Sequence, residues 1–162
     1  MIEKLFAAMI KYYSGDPHQI QHFTKVHSFA RLIGKCEKID EDTLYILEIA
    51  AVLHDIGIKP SIEKYGSYEG QYQEVEGPPV AEAMLTGFEC PQHIIERVCY
   101  LIGHHHTYEN IEGIDYQILI EADYLVNMFE CEMSESSIRA TLDSLFQTKT
   151  GKDYCMTMFN IS

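Results

Sequence analysis

The stretch ILEIAAVLHDIG, residues 46–57, decides the fold of this chain. Its first eight residues are apolar nearly all round a helix, and a helix of that kind lies buried in the centre of a protein. Gly57 and Pro60 then stop the helix. The pattern therefore predicts a central helix over about residues 40–55 that carries His54 and Asp55 at its carboxyl-terminal end.

The rest of the chain is patterned as helices as well, with almost no strand signal. Asp16 and Pro17 are a typical cap and first-turn residue for the second helix. The predicted helices begin at the first residues, span about 17–36, 40–55, 91–102 and 116–130, and begin again at Pro78-Pro79 and near Ser134. Residues 61–73 are predicted to form a long loop. The pattern predicts an all-α, single-domain helical bundle over residues 1–162, with a C-terminal helix and a poorly patterned tail over residues 134–162.

Composition and charge narrow the function classes. The chain has 162 residues, 46% of them hydrophobic, and a formal net charge of −13. That charge argues against binding to bulk nucleic acid or to an anionic membrane. No apolar stretch is long enough to span a bilayer and the first residues are not patterned as a secretory signal, so we expect a cytoplasmic protein. A small anionic substrate is still compatible with the charge, because a bound metal ion supplies positive charge locally.

Three ionisable residues fall on apolar helix faces. His22 has apolar residues four, seven and eleven positions later, and His54 and Asp123 have them at offsets of three and four, so each lies on a largely apolar helix face. Each alone has an ordinary explanation, such as a hydrogen-bonded core histidine or an aspartate paired with Arg31 or Arg97. Three separate helices that each present such a group to the core make a shared cation the better explanation, because an unpaired buried carboxylate costs several kcal/mol or more.

These residues resemble the signature of the HD-domain superfamily of metal-dependent phosphohydrolases. The matching segments are HFTKV at residues 22–26, AAVLHDIG at 50–57 and IEADYLV at 120–126, and the likeness covers about residues 16–130. It implies that His22, His54, Asp55 and Asp123 bind a metal ion. His27 competes with His22 for the first position. The superfamily's register favours His22, which is followed by Val26, Ala30 and Ile39-Asp40.

The resemblance also implies candidates for a second metal ion and for substrate contacts. Glu76, in EVEGPPVAEAM, stands where many members have a histidine, and LIGHHHTY supplies His105, with His104 as the next candidate ligand. His106 is expected in contact with substrate or behind the ligands. Lys59 follows the His-Asp pair and is a candidate catalytic or phosphate-binding residue. Because Glu76 and the histidines lie near turns, we expect one tight metal site and a weaker second one.

The resemblance implies hydrolysis of a phosphate ester of a nucleotide or another small phosphorylated metabolite. Nitrogen and oxygen ligands of this kind suit Mn²⁺, Fe²⁺, Co²⁺, Ni²⁺, Mg²⁺ or Zn²⁺. Asp55 would bridge the two ions. His105 would complete the coordination shell of the second ion or act as a general acid. Two alternatives stay open: a di-iron oxygenase with the same fold, and a non-catalytic regulatory module that binds a ligand or a metal ion.

Overall fold

The computed structural model of the protein describes residues 1–161. The described residues form nine helices: α1 Ile2–Tyr12, α2 Pro17–Glu37, α3 Glu41–Leu53, α4 Ile58–Tyr65, α5 Gly70–Gly87, α6 Gln92–Ile102, α7 Ile114–Glu130, α8 Glu135–Leu145 and α9 Lys149–Phe159. No strand occurs among residues 1–161, which confirms the all-α fold. Within the same residues, no helix is both long and apolar enough to cross a membrane.

Helix α3 is the centre of the fold, as its sequence predicts. Every residue from Leu47 to Leu53 is buried, and α1, α2, α6 and α7 all pack against the helix. Asp40 caps its amino terminus by accepting a hydrogen bond from the backbone N–H of Thr43 at 2.9 Å. The helix ends at Leu53 rather than Asp55, so His54 caps it and Asp55 lies in the following turn.

The predicted loop over residues 61–73 and the predicted helix start at Pro78 are both wrong. Residues 58–65 form α4, and α5 begins at Gly70 with both prolines inside it. Pro78 and Pro79 cannot donate to the carbonyl groups one turn earlier, which would normally end a helix. Packing outweighs that loss: a Cβ atom at Gly57 would lie 2.6 Å from the carbonyl oxygen of Gln73 and 2.7 Å from the nitrogen of Gly77. The absence of a side chain at Gly57 thus lets α5 lie directly on the turn after α3.

The predicted C-terminal tail is also wrong, because it contains α9. Thr148 caps this helix through the backbone N–H of Gly151 at 2.9 Å. The carboxylate of Glu121, which is fully buried on α7, accepts hydrogen bonds from Gln117 Nε2 and from the backbone N–H groups of Gln147 and Thr148, at 2.7, 2.6 and 2.9 Å. The Thr148 hydroxyl donates to the other oxygen of the same carboxylate. Glu121 lies 27 residues before Thr148, so no local sequence pattern indicates that it holds the start of α9.

Candidate metal centre

Four segments bring histidine and aspartate side chains to one buried place. His22 comes from α2, His54 and Asp55 from the turn after α3, His105 from the turn after α6, and Asp123 from α7. All five are buried. The packing of α2, α6 and α7 around α3 therefore brings together residues that are far apart in the chain.

His22, His54 and Asp123 form the first group, with ligand atoms near enough to share one ion. The Nε2 atoms of His22 and His54 lie 3.1 Å apart. Oδ1 of Asp123 lies 3.2 Å from His22 Nε2 and 3.4 Å from His54 Nε2. Oδ2 of Asp55 faces the same place, at 3.4 and 3.6 Å from the two nitrogens. Two imidazoles and two carboxylates thus point at one centre.

A second group consists of Asp55, His105 and His106. The other oxygen of Asp55, Oδ1, lies 3.1 Å from His105 Nε2 and 3.9 Å from His106 Nε2. The Nε2 atom of His106 is buried and has no hydrogen-bond partner. Gly70 makes room for this imidazole, since a Cβ atom there would lie 2.7 Å from its ring. Asp55 is shared by the two groups, with one oxygen toward each.

In the neutral form with its proton on Nδ1, each of three imidazoles would present the lone pair of Nε2 to the centre. His22 uses Nδ1 to hydrogen-bond Glu130 Oε2 at 2.8 Å. His54 and His105 use Nδ1 to donate to carbonyl oxygens three residues earlier, at 3.0 and 2.8 Å. A neutral imidazole that carries its proton on Nδ1 has an acceptor at Nε2. Two acceptors 3.1 Å apart cannot satisfy each other, whereas a cation between them satisfies both. The donor set therefore fits a divalent metal ion.

The pKa values of the residues in the first group also show that the two buried carboxylates need positive charge beside them. Burial alone would lower the pKa of His22, but the hydrogen bond to Asp123 and the charge of Asp55 raise it to about 9. Burial would raise the pKa of both aspartates, but the surrounding histidines hold the pKa of each below its ordinary value. Without a metal ion, protons on the imidazoles balance the two carboxylates. A metal ion would displace those protons as it binds.

In the second group, the pKa of His106 is shifted in the opposite direction from that of His22. Burial, followed by the nearby His105, lowers the pKa of His106 to about 4. The pKa of His105 is raised, because its hydrogen bond to Asp55 and the charge of that carboxylate outweigh burial. At neutral pH His106 is therefore an uncharged imidazole, and its Nε2 is a buried nitrogen without a hydrogen-bond partner.

Three of the sequence-predicted residues are not brought into either group. Glu76 binds Lys64 Nζ at 2.6 Å and the hydroxyl of Tyr65 at 2.7 Å. His104 donates from Nδ1 to the carbonyl oxygen of Tyr100 at 2.7 Å. Lys59 is exposed and lies over the ring of Tyr12, 5.0 Å from its centroid.

Of the two histidines that compete for the first ligand position, His22 lies in the first group and His27 does not. His27 lies outside both groups and pairs with Glu48, from its Nε2 to Oε1 at 3.0 Å. Arg31 binds the other oxygen of Glu48 at 2.5 Å. His22 occupies the position beside His54, as the superfamily's register implies.

Other residues support the centre and were missed at the sequence level. Gln19 donates from Nε2 to Asp55 Oδ2 at 3.2 Å, and Tyr13 donates from its hydroxyl to the carbonyl oxygen of Asp55 at 2.9 Å. Glu74, two residues before Glu76, accepts the backbone N–H of His106 at 3.0 Å. Each contact joins segments at least 32 residues apart. No spacing rule identifies such partners.

The fold and the site together define a helical protein whose histidine and aspartate groups could hold divalent metal ions. The model of the family described as HD domain matches residues 20–128, which is most of the predicted signature region. The chain belongs to the HD domain family.

A comparison with solved structures adds one similar protein. It is a crystal structure, from an uncultured Thermotogales bacterium, of a protein described as a predicted HD superfamily hydrolase. The TM-score is 0.67 at 24% identity, and the match covers 98% of this chain and 83% of that one. At this identity the likeness shows that the two proteins share a fold. A comparison with curated proteins found no match.

Proposed function

We propose that this protein is a metal-dependent phosphohydrolase that cleaves a phosphate ester of a small metabolite. One observation carries the proposal: Asp55 directs one carboxylate oxygen to each of two adjacent ligand groups. A carboxylate shared in this way is the typical bridge of a two-metal hydrolytic site. Membership of the HD domain family supports the same reaction class.

His22, His54, Asp123 and Asp55 would hold the first ion, and Asp55, His105 and His106 the second. His106 takes the place in the second group that the sequence assigned to Glu76. Both groups combine imidazole nitrogen with carboxylate oxygen, which suits Mn²⁺, Fe²⁺, Co²⁺, Ni²⁺ or Zn²⁺ and, less well, Mg²⁺. The first group supplies four ligands and the second three, so the first site is expected to bind more tightly.

The exposure of the imidazoles indicates where a substrate enters. The side chains of His22, His54 and His105 are at most 4% exposed, whereas that of His106 is 24% exposed. The side of the centre at His106 is therefore the open side. A phosphate group that approaches there meets the second ligand group first. Lys59 lies elsewhere, over Tyr12, and takes no part in this proposal.

The chain's own residues hold the reaction geometry. A bound divalent ion supplies charge for the phosphoryl oxygens and lowers the pKa of water. Gln19 donates a hydrogen bond to the shared carboxylate of Asp55, and Tyr13 donates one to the backbone carbonyl oxygen of the same residue. Glu74 holds the backbone of His106 in the turn after α6. His106 would hold the second ion through Nε2, and its partly exposed ring would line the side from which the substrate enters.

The test is metal analysis of the purified protein, followed by a panel of phosphomonoesters and phosphodiesters with each divalent ion. We expect turnover that chelator abolishes and that added metal restores. Asp123→Asn is expected to lose the activity and remain helical, while the exposed Glu132→Gln should retain it. A folded, metal-loaded protein that cleaves no member of the panel would instead indicate the regulatory module. Oxygen consumption by an iron-loaded preparation would indicate the oxygenase.

A further inference from the structure

The outward contact of His22 differs from those of the other two imidazoles. His54 and His105 donate from Nδ1 to carbonyl oxygens within their own turns, at 3.0 and 2.8 Å. His22 instead contacts a carboxylate, Glu130 Oε2, at 2.8 Å. That carboxylate belongs to the last residue of α7, 108 positions later in the chain. His22 is therefore held by a charged group from a different helix.

The environment of Glu130 keeps its carboxylate in place. Its side chain is only 7% exposed, which would be unfavourable for an isolated charge. Lys25 compensates that charge from α2, one turn after His22, by binding Glu130 Oε1 through its ammonium group. One carboxylate oxygen thus serves the imidazole and the other serves the lysine. The contact crosses from α2 to α7, the helix that also carries Asp123.

We propose that Glu130 is a positioning residue that fixes the orientation and the tautomer of His22 for metal binding. Its acceptor oxygen requires the proton of His22 on Nδ1, which leaves the lone pair of Nε2 for the ion. The negative charge of Glu130 also makes Nε2 of His22 a stronger ligand for the metal ion than the Nε2 of a histidine whose Nδ1 contacts a carbonyl group. This inference rests on the metal centre in the proposed function and goes beyond it, since it does not depend on which reaction the centre performs.

Two substitutions at Glu130 separate the effect of its charge on metal affinity from the effect of its hydrogen bond. Glu130→Gln keeps the shape of the side chain and an acceptor oxygen but removes the charge. Glu130→Ala removes both. Partners of this kind change metal affinity by about 10–100-fold. We therefore expect the affinity to fall about tenfold in Glu130→Gln and toward a hundredfold in Glu130→Ala.

Two controls separate this role from general effects of charge. Glu132→Gln makes the same change of charge at an exposed residue two positions later. Lys25→Arg keeps a positively charged partner for Glu130 and leaves the carboxylate on His22. Both variants should bind metal within about threefold of the natural protein, because neither alters the contact that sets His22.

The experiment is calorimetric titration of each metal-free protein with Mn²⁺, Co²⁺ and Zn²⁺, with helix content checked by circular dichroism. The expected order of affinity is the natural protein, then Glu130→Gln, then Glu130→Ala. Equal affinity in the natural protein and Glu130→Gln would overturn the inference, as would an equal loss in Glu132→Gln or loss of helix content in Glu130→Gln. A natural protein that binds metal but cleaves no phosphate ester would contradict the proposed function and leave the role of Glu130 standing.

Discussion

Replacement of Asp55 by alanine should weaken both metal sites at once. Its Oδ2 lies 3.4 Å from His22 Nε2 in the first group, and its Oδ1 lies 3.1 Å from His105 Nε2 in the second. An ion that binds only the folded state, at a concentration about a thousand times its dissociation constant, stabilises the fold by about 4 kcal/mol. A hundredfold loss of affinity reduces that to about 1.4 kcal/mol at the same concentration. We expect at least this loss, since the residue is a direct ligand, and with it the loss of hydrolysis.

The assay is thermal unfolding with and without metal. For a domain of this size about 4 kcal/mol corresponds to a rise in Tm of roughly 8–16 °C, and about 1.4 kcal/mol to roughly 3–6 °C. The natural protein should show the larger rise and Asp55→Ala the smaller one, with cooperative helical unfolding in both. His105→Ala is the matched control, because it removes a ligand from the second group alone. An Asp55→Ala protein with the full rise in Tm, or with near-normal hydrolysis, would refute the shared-carboxylate centre.

Two further predictions concern stability. Glu121→Ala should destabilise the metal-free protein by about 3 to 5 kcal/mol in urea unfolding, because it leaves several buried donors without an acceptor, whereas Glu132→Ala, at an exposed site, should have little effect. The metal-free protein should also lose stability between pH 6.5 and 9, since Asp123 and Asp55 raise the pKa of His22 from 6.5 to about 9 in the folded state. That contribution is complete below pH 6.5 and is lost as pH rises through 9, a change on the order of 3 kcal/mol. Urea unfolding at the two pH values in the presence of chelator measures it, and unchanged stability would contradict the assignment.

The central helix and the order of the site residues were predictable because both depend on local patterns. A run that is apolar on every side can be satisfied only by burial, so residues 46–53 identify α3 without any other information. The helix-face positions of His22 and Asp123 follow from spacing in the same way. The choice of His22 over His27 came from the superfamily's register, and the structure places His22 in the first group and His27 against Glu48.

The errors fall where distant contacts outweigh local rules. Pro78 and Pro79 suggest a helix start, yet α5 begins at Gly70, because Gly77 packs closely against Gly57. Glu76 occupies the matching place in the sequence but turns to Lys64. His106, which the resemblance implied in contact with substrate or behind the ligands, faces Asp55 and belongs to the second candidate ligand group.

The sequence by itself determined that this protein is all-helical, that it buries a His-Asp pair at the end of a central helix, and that a histidine and an aspartate from two other helices face the core. These are consequences of periodicity, which acts over one or two turns. The resemblance already implied that Asp55 is shared by two groups, and only the tertiary structure decided that His106 completes the second group and that Glu130 contacts His22. The physical reason is that these contacts join residues 50 or more positions apart, and the packing of whole helices, which no short segment encodes, determines them.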